Sequence, residues 1–84
     1  MLDYLPLGAG CSVQEVSIPP AWLGKTLREL APRTHGIQVV GVRCSLSDRL
    51  TVPPDPDAPF KDSDSAIVAG ADEALRGVLA AKGS

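Results

Sequence analysis

The chain predicts an α+β fold, with two helices packed on a mainly antiparallel sheet in the order β-α-β-β-β-α. Three observations carry that expectation. Residues 20–31 and 71–79 space their apolar side chains as helices do, the run Ile37 to Val42 is almost wholly β-branched, and short β-forming stretches elsewhere are cut off by proline and turn residues.

In order along the chain, residues 1–10 (MLDYLPLGAG) read as a lead-in segment and residues 11–84 as one domain. Tyr4, Leu5 and Leu7 are available for packing, but Pro6, Gly8 and Gly10 argue against a regular element. CSVQEVSI, Cys11 to Ile18, is the first strand, with Val16 and Ile18 on one face, and it ends at Pro19. A helix is then expected from Pro20 to Ala31. Leu23, Leu27 and Leu30 fall on one side, Trp22 widens the stripe, and Pro32 forces the chain out of helical geometry. Gly24 inside that helix costs about 1 kcal/mol against alanine, so it stands there either for close approach of another backbone or as a tolerated glycine.

After a turn through Thr34, His35 and Gly36 comes the central strand, Ile37 to Val42. Strict alternation places Ile37 and Val39 on one face, and Val40 and Val42 on the other. A strand apolar on both faces is covered twice, and in a short chain the second cover is expected to be a second copy. Ser45 to Asp48 is a polar turn into a brief strand, Leu50 to Val52, that stops at Pro53 and completes a hairpin. PPDPDAPFKDSD suits a tight connection with Phe60 tucked inward. Ser65 to Gly70 is a buried strand. Asp72 is expected to cap a last helix whose stripe is Ala71, Ala74, Leu75, Val78 and Leu79.

Composition bounds what such a domain does. A chain of 84 residues buries about 60% of its unfolded surface, so the core is small and dimerisation helps it. Hydrophobic content of 44% with 21% charged residues is that of a globular protein, and no apolar run reaches the roughly 20 residues of a membrane span. The N-terminal stretch lacks the basic start and long apolar segment of a secretory signal, so the expected location is cytoplasmic. A formal charge of −2 argues against a nucleic acid polymer as partner. Lys25, Arg28, Arg33, Arg43 and Arg49 nevertheless cluster in mid-chain, as a solvated basic surface or a local anion site.

The residues of classical chemistry form no motif. Cys11 and Cys44 lack zinc-site spacing and read as small apolar core residues, with no disulfide expected. The aspartates of the proline-rich loop lack the glycine and terminal glutamate of a calcium loop. His35 stands in a turn without a nearby nucleophile motif, and Gly8 and Gly10 do not complete a phosphate cradle. No catalytic residue, metal site or cofactor is expected, and the chain is not expected to be an enzyme.

Four phrases in register, LGKTLREL (Leu23 to Leu30), HGIQVVGVR (His35 to Arg43), PPDPD (Pro53 to Asp57) and KDSDSAIVAG (Lys61 to Gly70), resemble the TrkA-C family. This is the C-terminal domain of RCK-type regulators of potassium conductance. The resemblance covers about Cys11 to Leu79. It implies the β-α-β-β-β-α fold, a homodimer, and a regulatory role on a cation channel, transporter or antiporter, in some members through cyclic di-AMP held across the dimer interface. By position it makes Arg43 the anion-binding arginine, with Val40, Val42 and Pro54 beside the ligand. Pro53 replaces the polar residue that dinucleotide-binding members often carry, and Ser63 stands where the family commonly has glycine. The glycine-rich nucleotide-binding N-domain of such regulators has no counterpart.

Two functions follow. Either the domain senses a small anion such as cyclic di-AMP at a homodimer seam, or it is a dimerisation module without a small ligand. Arg43 discriminates them: it belongs in a concave site at the seam in the first case, and beside an acid such as Glu15 in the second.

Overall fold

The computed structural model describes residues 3–30 and 36–79. Strands β1 (Asp3–Gly8), β2 (Cys11–Ser17), β3 (Ile37–Cys44), β4 (Arg49–Thr51) and β5 (Asp64–Ala71) form one antiparallel sheet, ordered β1-β2-β5-β3-β4. Helix α1 (Leu27–Leu30) lies between β2 and β3, and α2 (Asp72–Leu79) follows β5. From β2 onward the order is β-α-β-β-β-α. A strand at Asp3–Gly8 corrects the expectation of no regular element there; β1 is an edge strand, where proline is tolerated, and its register slips between Pro6 and Gly8.

The continuous helix expected over residues 20–31 is replaced by two pieces. Pro20–Trp22 is a single 3₁₀ turn, and α1 starts only at Leu27. Gly24 breaks them apart with φ +77°, a left-handed conformation, and nothing lies within 4 Å of where a Cβ would sit. Backbone conformation, not close approach, therefore explains this glycine. Thr26 and Glu29 then start α1 as a capping box: Thr26 N–H donates to Glu29 Oε1 at 2.9 Å, and Glu29 N–H to Thr26 Oγ1 at 3.3 Å. The break rotates Leu23 out of the stripe to 40% exposure, whereas Leu30 is 2% exposed.

The proline-rich loop fastens to this broken segment. Gly24 N–H donates to the Phe60 carbonyl, Phe60 N–H to the Lys25 carbonyl, and Arg28 N–H to the Pro56 carbonyl. Phe60 is buried as expected, its ring 5.4 Å from that of Trp22 and tilted by 43°. Both rings join Val16, Ile18, Leu30, Val39, Ala66, Val68 and Leu75 in one core on the helix-bearing face of the sheet. Asp72 opens α2 rather than preceding it. Its carboxylate accepts the buried Ser12 hydroxyl at 2.6 Å and its N–H reaches the Gly10 carbonyl at 2.7 Å. Ala71 is the exposed last residue of β5, while Leu75 is fully buried. His35, Ala31 and Pro32, and the side chains of Val78 and Leu79, lie outside the described residues.

A bulge in β3 sets the faces of the sheet. Val39 is opposite Val68 and Gly41 is opposite Ile67, so Val40 is an extra residue and every later side chain changes face. Val42, opposite Ala66, therefore shares the core face with Val39 and packs on the core, which corrects the alternation that put it with Val40. Cys11 and Cys44 are half-buried free thiols and not core residues. Cys44 ends β3 beside the hairpin turn, where the Ser47 hydroxyl, with the N–H groups of Ser47 and Leu46, holds its thiol below the ordinary range.

Candidate functional site

The face without helices carries the arginine singled out by the sequence. Residues directly opposite each other in the ladders share a face. Leu5, Val13 and Ala69 thus line up in one row, Glu15, Ile67 and Gly41 in the next, and Ser65, Arg43 and Leu50 in a third. None of the nine core residues belongs to these rows. Leu5 is 60% and Leu50 44% exposed, and Val13 and Ile67 are half-buried. Gly41 leaves room here: a Cβ on it would lie 2.6 Å from the Val52 methyl Cγ2 and 2.9 Å from the Thr51 carbonyl, so only glycine lets the end of β4 fold this close.

Arg43 sits at the polar border of this apolar face. Its Nε donates to Glu15 Oε2 at 2.8 Å, and Nη1 reaches Asp48 Oδ1 at 3.4 Å. The same Glu15 oxygen accepts the Ser65 hydroxyl at 2.7 Å. That hydroxyl, followed by Arg43, holds the Glu15 carboxyl below its usual range, against an opposing contribution from burial. Only 15% of the Glu15 side chain is exposed against 34% of Arg43, so the pair lies partly out of water while one edge of the guanidinium stays accessible. A shallow cavity of about 200 Å³ adjoins it, lined by Tyr4, Leu5, Val13, Glu15, Arg43 and Ile67.

The four residues expected around a ligand do not converge. Arg43 and the bulged Val40 belong to neighbouring stretches of β3, but Val42 faces the core. Pro54 is half-buried in the loop that runs back to the helical side, just after the cis Val52–Pro53 peptide. Ser65 and Asp48 were not singled out by the sequence reading. Ser65 was legible in principle, because alternation along β5 sets Ser65, Ile67 and Ala69 on one side. Asp48 was not, since its reach to Arg43 depends on a hairpin turn in which it adopts φ +54°.

Among the described residues, no group of three or more His, Cys, Asp or Glu is placed to hold a metal ion, and no helix is long and apolar enough to cross a membrane. With the arrangement of strands and helices established, comparison with family models decides the relationship: the TrkA-C domain matches residues 13–83. The chain belongs to the TrkA-C family. A search of curated proteins returned no match. Membership suggests a regulatory domain of potassium or other cation transport systems, a class defined by regulation and not by catalysis. In this TrkA-C domain Arg43, the last residue but one of β3, is therefore held by an acid on a neighbouring part of the sheet, and an apolar surface extends beside it.

Proposed function

We propose that this TrkA-C domain works as a homodimer that regulates a membrane cation channel, transporter or antiporter from the cytoplasmic side, and that two copies meet through the helix-free face of the sheet. The observation that carries the proposal is the apolar patch across these rows, in which Leu5, Leu50 and Val52, the last at 57% exposure, are open to solvent and Val13 and Ile67 are half-buried. A face of this kind marks an interaction surface. The ion pair at its border supports the same reading, because Arg43 and Glu15 enter an interface already matched and hydrogen-bonded, without leaving a buried charge unpaired. By the discriminating criterion set out above, the Glu15 contact favours a dimerisation module.

The cavity beside Arg43 favours a second reading, in which a small anion such as cyclic di-AMP lies at the two-fold axis. Such a ligand would compete with Glu15 and Asp48 for the guanidinium. It would rest against Tyr4, Leu5, Val13 and Ile67, with Val42 and Pro54 outside its first contacts. Regulation would then follow from its preference for one arrangement of the two copies.

Sedimentation equilibrium tests the dimer. The wild-type chain is expected to be dimeric at about micromolar concentration, and Ile67→Asp to be monomeric and folded, since the new carboxylate lies on the open face. A wild-type monomer throughout that range overturns the proposal. Calorimetry with cyclic di-AMP separates the two readings: saturable heat lost in Arg43→Ala supports the ligand, and absence of heat leaves the dimerisation module.

A further inference from the structure

On the opposite, helix-bearing side of the sheet, the β3–β4 hairpin and the proline-rich loop enclose a second cavity of about 190 Å³. Its construction follows from the register. Cys44 is directly opposite Arg49 on β4 and Asp64 on β5, so these three side chains stand in one row, and the next row inward holds Val42 and Thr51. The loop brings Asp55, Phe60 and Lys61 over them. Val42 and Phe60 give the cavity an apolar interior, and four charges line it.

These charges are disposed unequally. Neither the Arg49 guanidinium nor the Lys61 ammonium has an ion-pair or hydrogen-bond partner among the described residues, although acids are nearby. Asp64 and Asp55 are fixed by the turns they cap: Asp64 Oδ2 accepts the Lys61 N–H at 3.1 Å, and Asp55 Oδ1 accepts the Asp57 N–H at 2.9 Å. Each carboxylate thus has one oxygen committed to backbone and one remaining. The cavity offers two uncommitted cations, two anchored anions and an apolar floor.

A simple anion meets two uncompensated carboxylates here, and a simple cation meets two uncompensated bases. A molecule bearing both charges satisfies both sets, and the apolar floor asks for a hydrocarbon body between or beside them. Drug-sized ligands occupy pockets of about 300–1,000 Å³, so the smaller volume admits a single small metabolite. We propose that the cleft between the β3–β4 hairpin and the loop over residues 55–61 binds a small zwitterion with an apolar side chain, of the size and charge pattern of a free aliphatic amino acid. Arg49 and Lys61 take its carboxylate, and Asp55 and Asp64 its ammonium. The site lies within one chain and on the other face of the sheet from Arg43, so it does not depend on the dimer or its seam.

Nuclear magnetic resonance titration of the whole chain with L-leucine tests this, with 4-methylpentanoate (lacking the ammonium) and 3-methylbutylamine (lacking the carboxylate) as matched probes. L-leucine is expected to saturate at about millimolar concentration, with the largest shifts at Arg49, Thr51, Lys61 and Asp64, and each half-probe to bind at least about tenfold more weakly. The double variant Arg49→Gln, Lys61→Gln changes two exposed side chains and is expected to weaken L-leucine binding at least about tenfold. Thr51→Trp, at an exposed position on the cavity wall, should abolish it by filling the space. Equal binding of 4-methylpentanoate and L-leucine would make the cleft an anion site and overturn the proposal. So would equal binding of the amine, or no saturable shift in the wild type.

Discussion

Gly24→Ala gives the sharpest test of how residues 20–30 fold, because two readings of the same glycine predict opposite signs. In a continuous helix the substitution stabilises by about 1 kcal/mol, since alanine is the better helix former. In the structure Gly24 has φ +77°, with open space around a would-be Cβ, so sterics from neighbours are not at issue and only the local backbone counts. An L-residue in the left-handed region costs about 1–2 kcal/mol, partly offset by a gain of about 0.4–1 kcal/mol from the stiffer unfolded chain. The net expectation is a loss of about 1 kcal/mol. Gly77 is the internal control: it lies within α2, an added Cβ is equally unobstructed, and its φ is not positive. Gly77→Ala is expected to gain about 0.5–1 kcal/mol. Urea unfolding followed by tryptophan fluorescence, at one fixed protomer concentration, measures both, and Trp22 is the sole reporter. A Gly24→Ala variant as stable as wild type, or more so, refutes the broken-helix geometry.

Leu30→Ala should cost about 2.7–5 kcal/mol as a buried truncation, and Leu23→Ala, at 40% exposure, less than about 1 kcal/mol; similar losses in urea would restore the single stripe. Thr26→Ala removes the capping box and is expected to lose about 1 kcal/mol by the same assay, with no loss refuting the cap. Val42→Asp, facing the core, should unfold the domain by circular dichroism, whereas a folded monomer would place Val42 on the open face instead. Acid should expose the Glu15 contribution: its folded pKa is depressed, so the stabilisation is complete above the ordinary carboxylate value of about 4.3 and is lost as pH falls through the lower folded value. Melting temperatures from about pH 6 to about pH 3 should therefore fall less steeply for Glu15→Gln than for wild type, and parallel curves would count against the Ser65 and Arg43 contacts.

Much of this fold is written in short-range chemistry. The strand Cys11–Ser17, the β-branched run at the start of Ile37–Cys44 and the buried strand before Asp72 are strands because their neighbours on one face are buried together. Phe60 is inside because a lone aromatic in a proline-rich loop has nowhere else to bury its ring. Where the reading failed, a competing local signal was present. Leu23, Leu27 and Leu30 have helical spacing, but Thr26-x-x-Glu29 is an equally local statement that the helix begins at Leu27, and Gly24 supplies the break before it. Spacing alone does not reveal which of two start signals prevails. The edge strand β1 was hidden for another reason: its partner is the following strand, and its own residues, rich in glycine and proline, are those a central strand excludes.

The site was legible only up to the bulge. Period-two alternation is a rule about an unbroken ladder, and one extra residue, Val40, inverts it for everything downstream. Alternation therefore put Val42 on the face away from Val39, whereas the structure turns Val42 to the core and Arg43 to the open face beside Glu15. No composition signal announces the slip. Gly41 marks it in retrospect, because the strand end carrying Thr51 and Val52 crosses where a side chain would stand. The inversion separates two environments that a single alternating strand would have merged. The residue before the bulge and the one two after it complete the core and floor the charged cleft, while Arg43 is delivered to an apolar surface with its charge already balanced. If both proposals hold, a ligand in the cleft and a second copy on the open face would engage the two sides of β3 at once, and Val42 and Arg43, adjacent in the chain, would be the shortest covalent path between them.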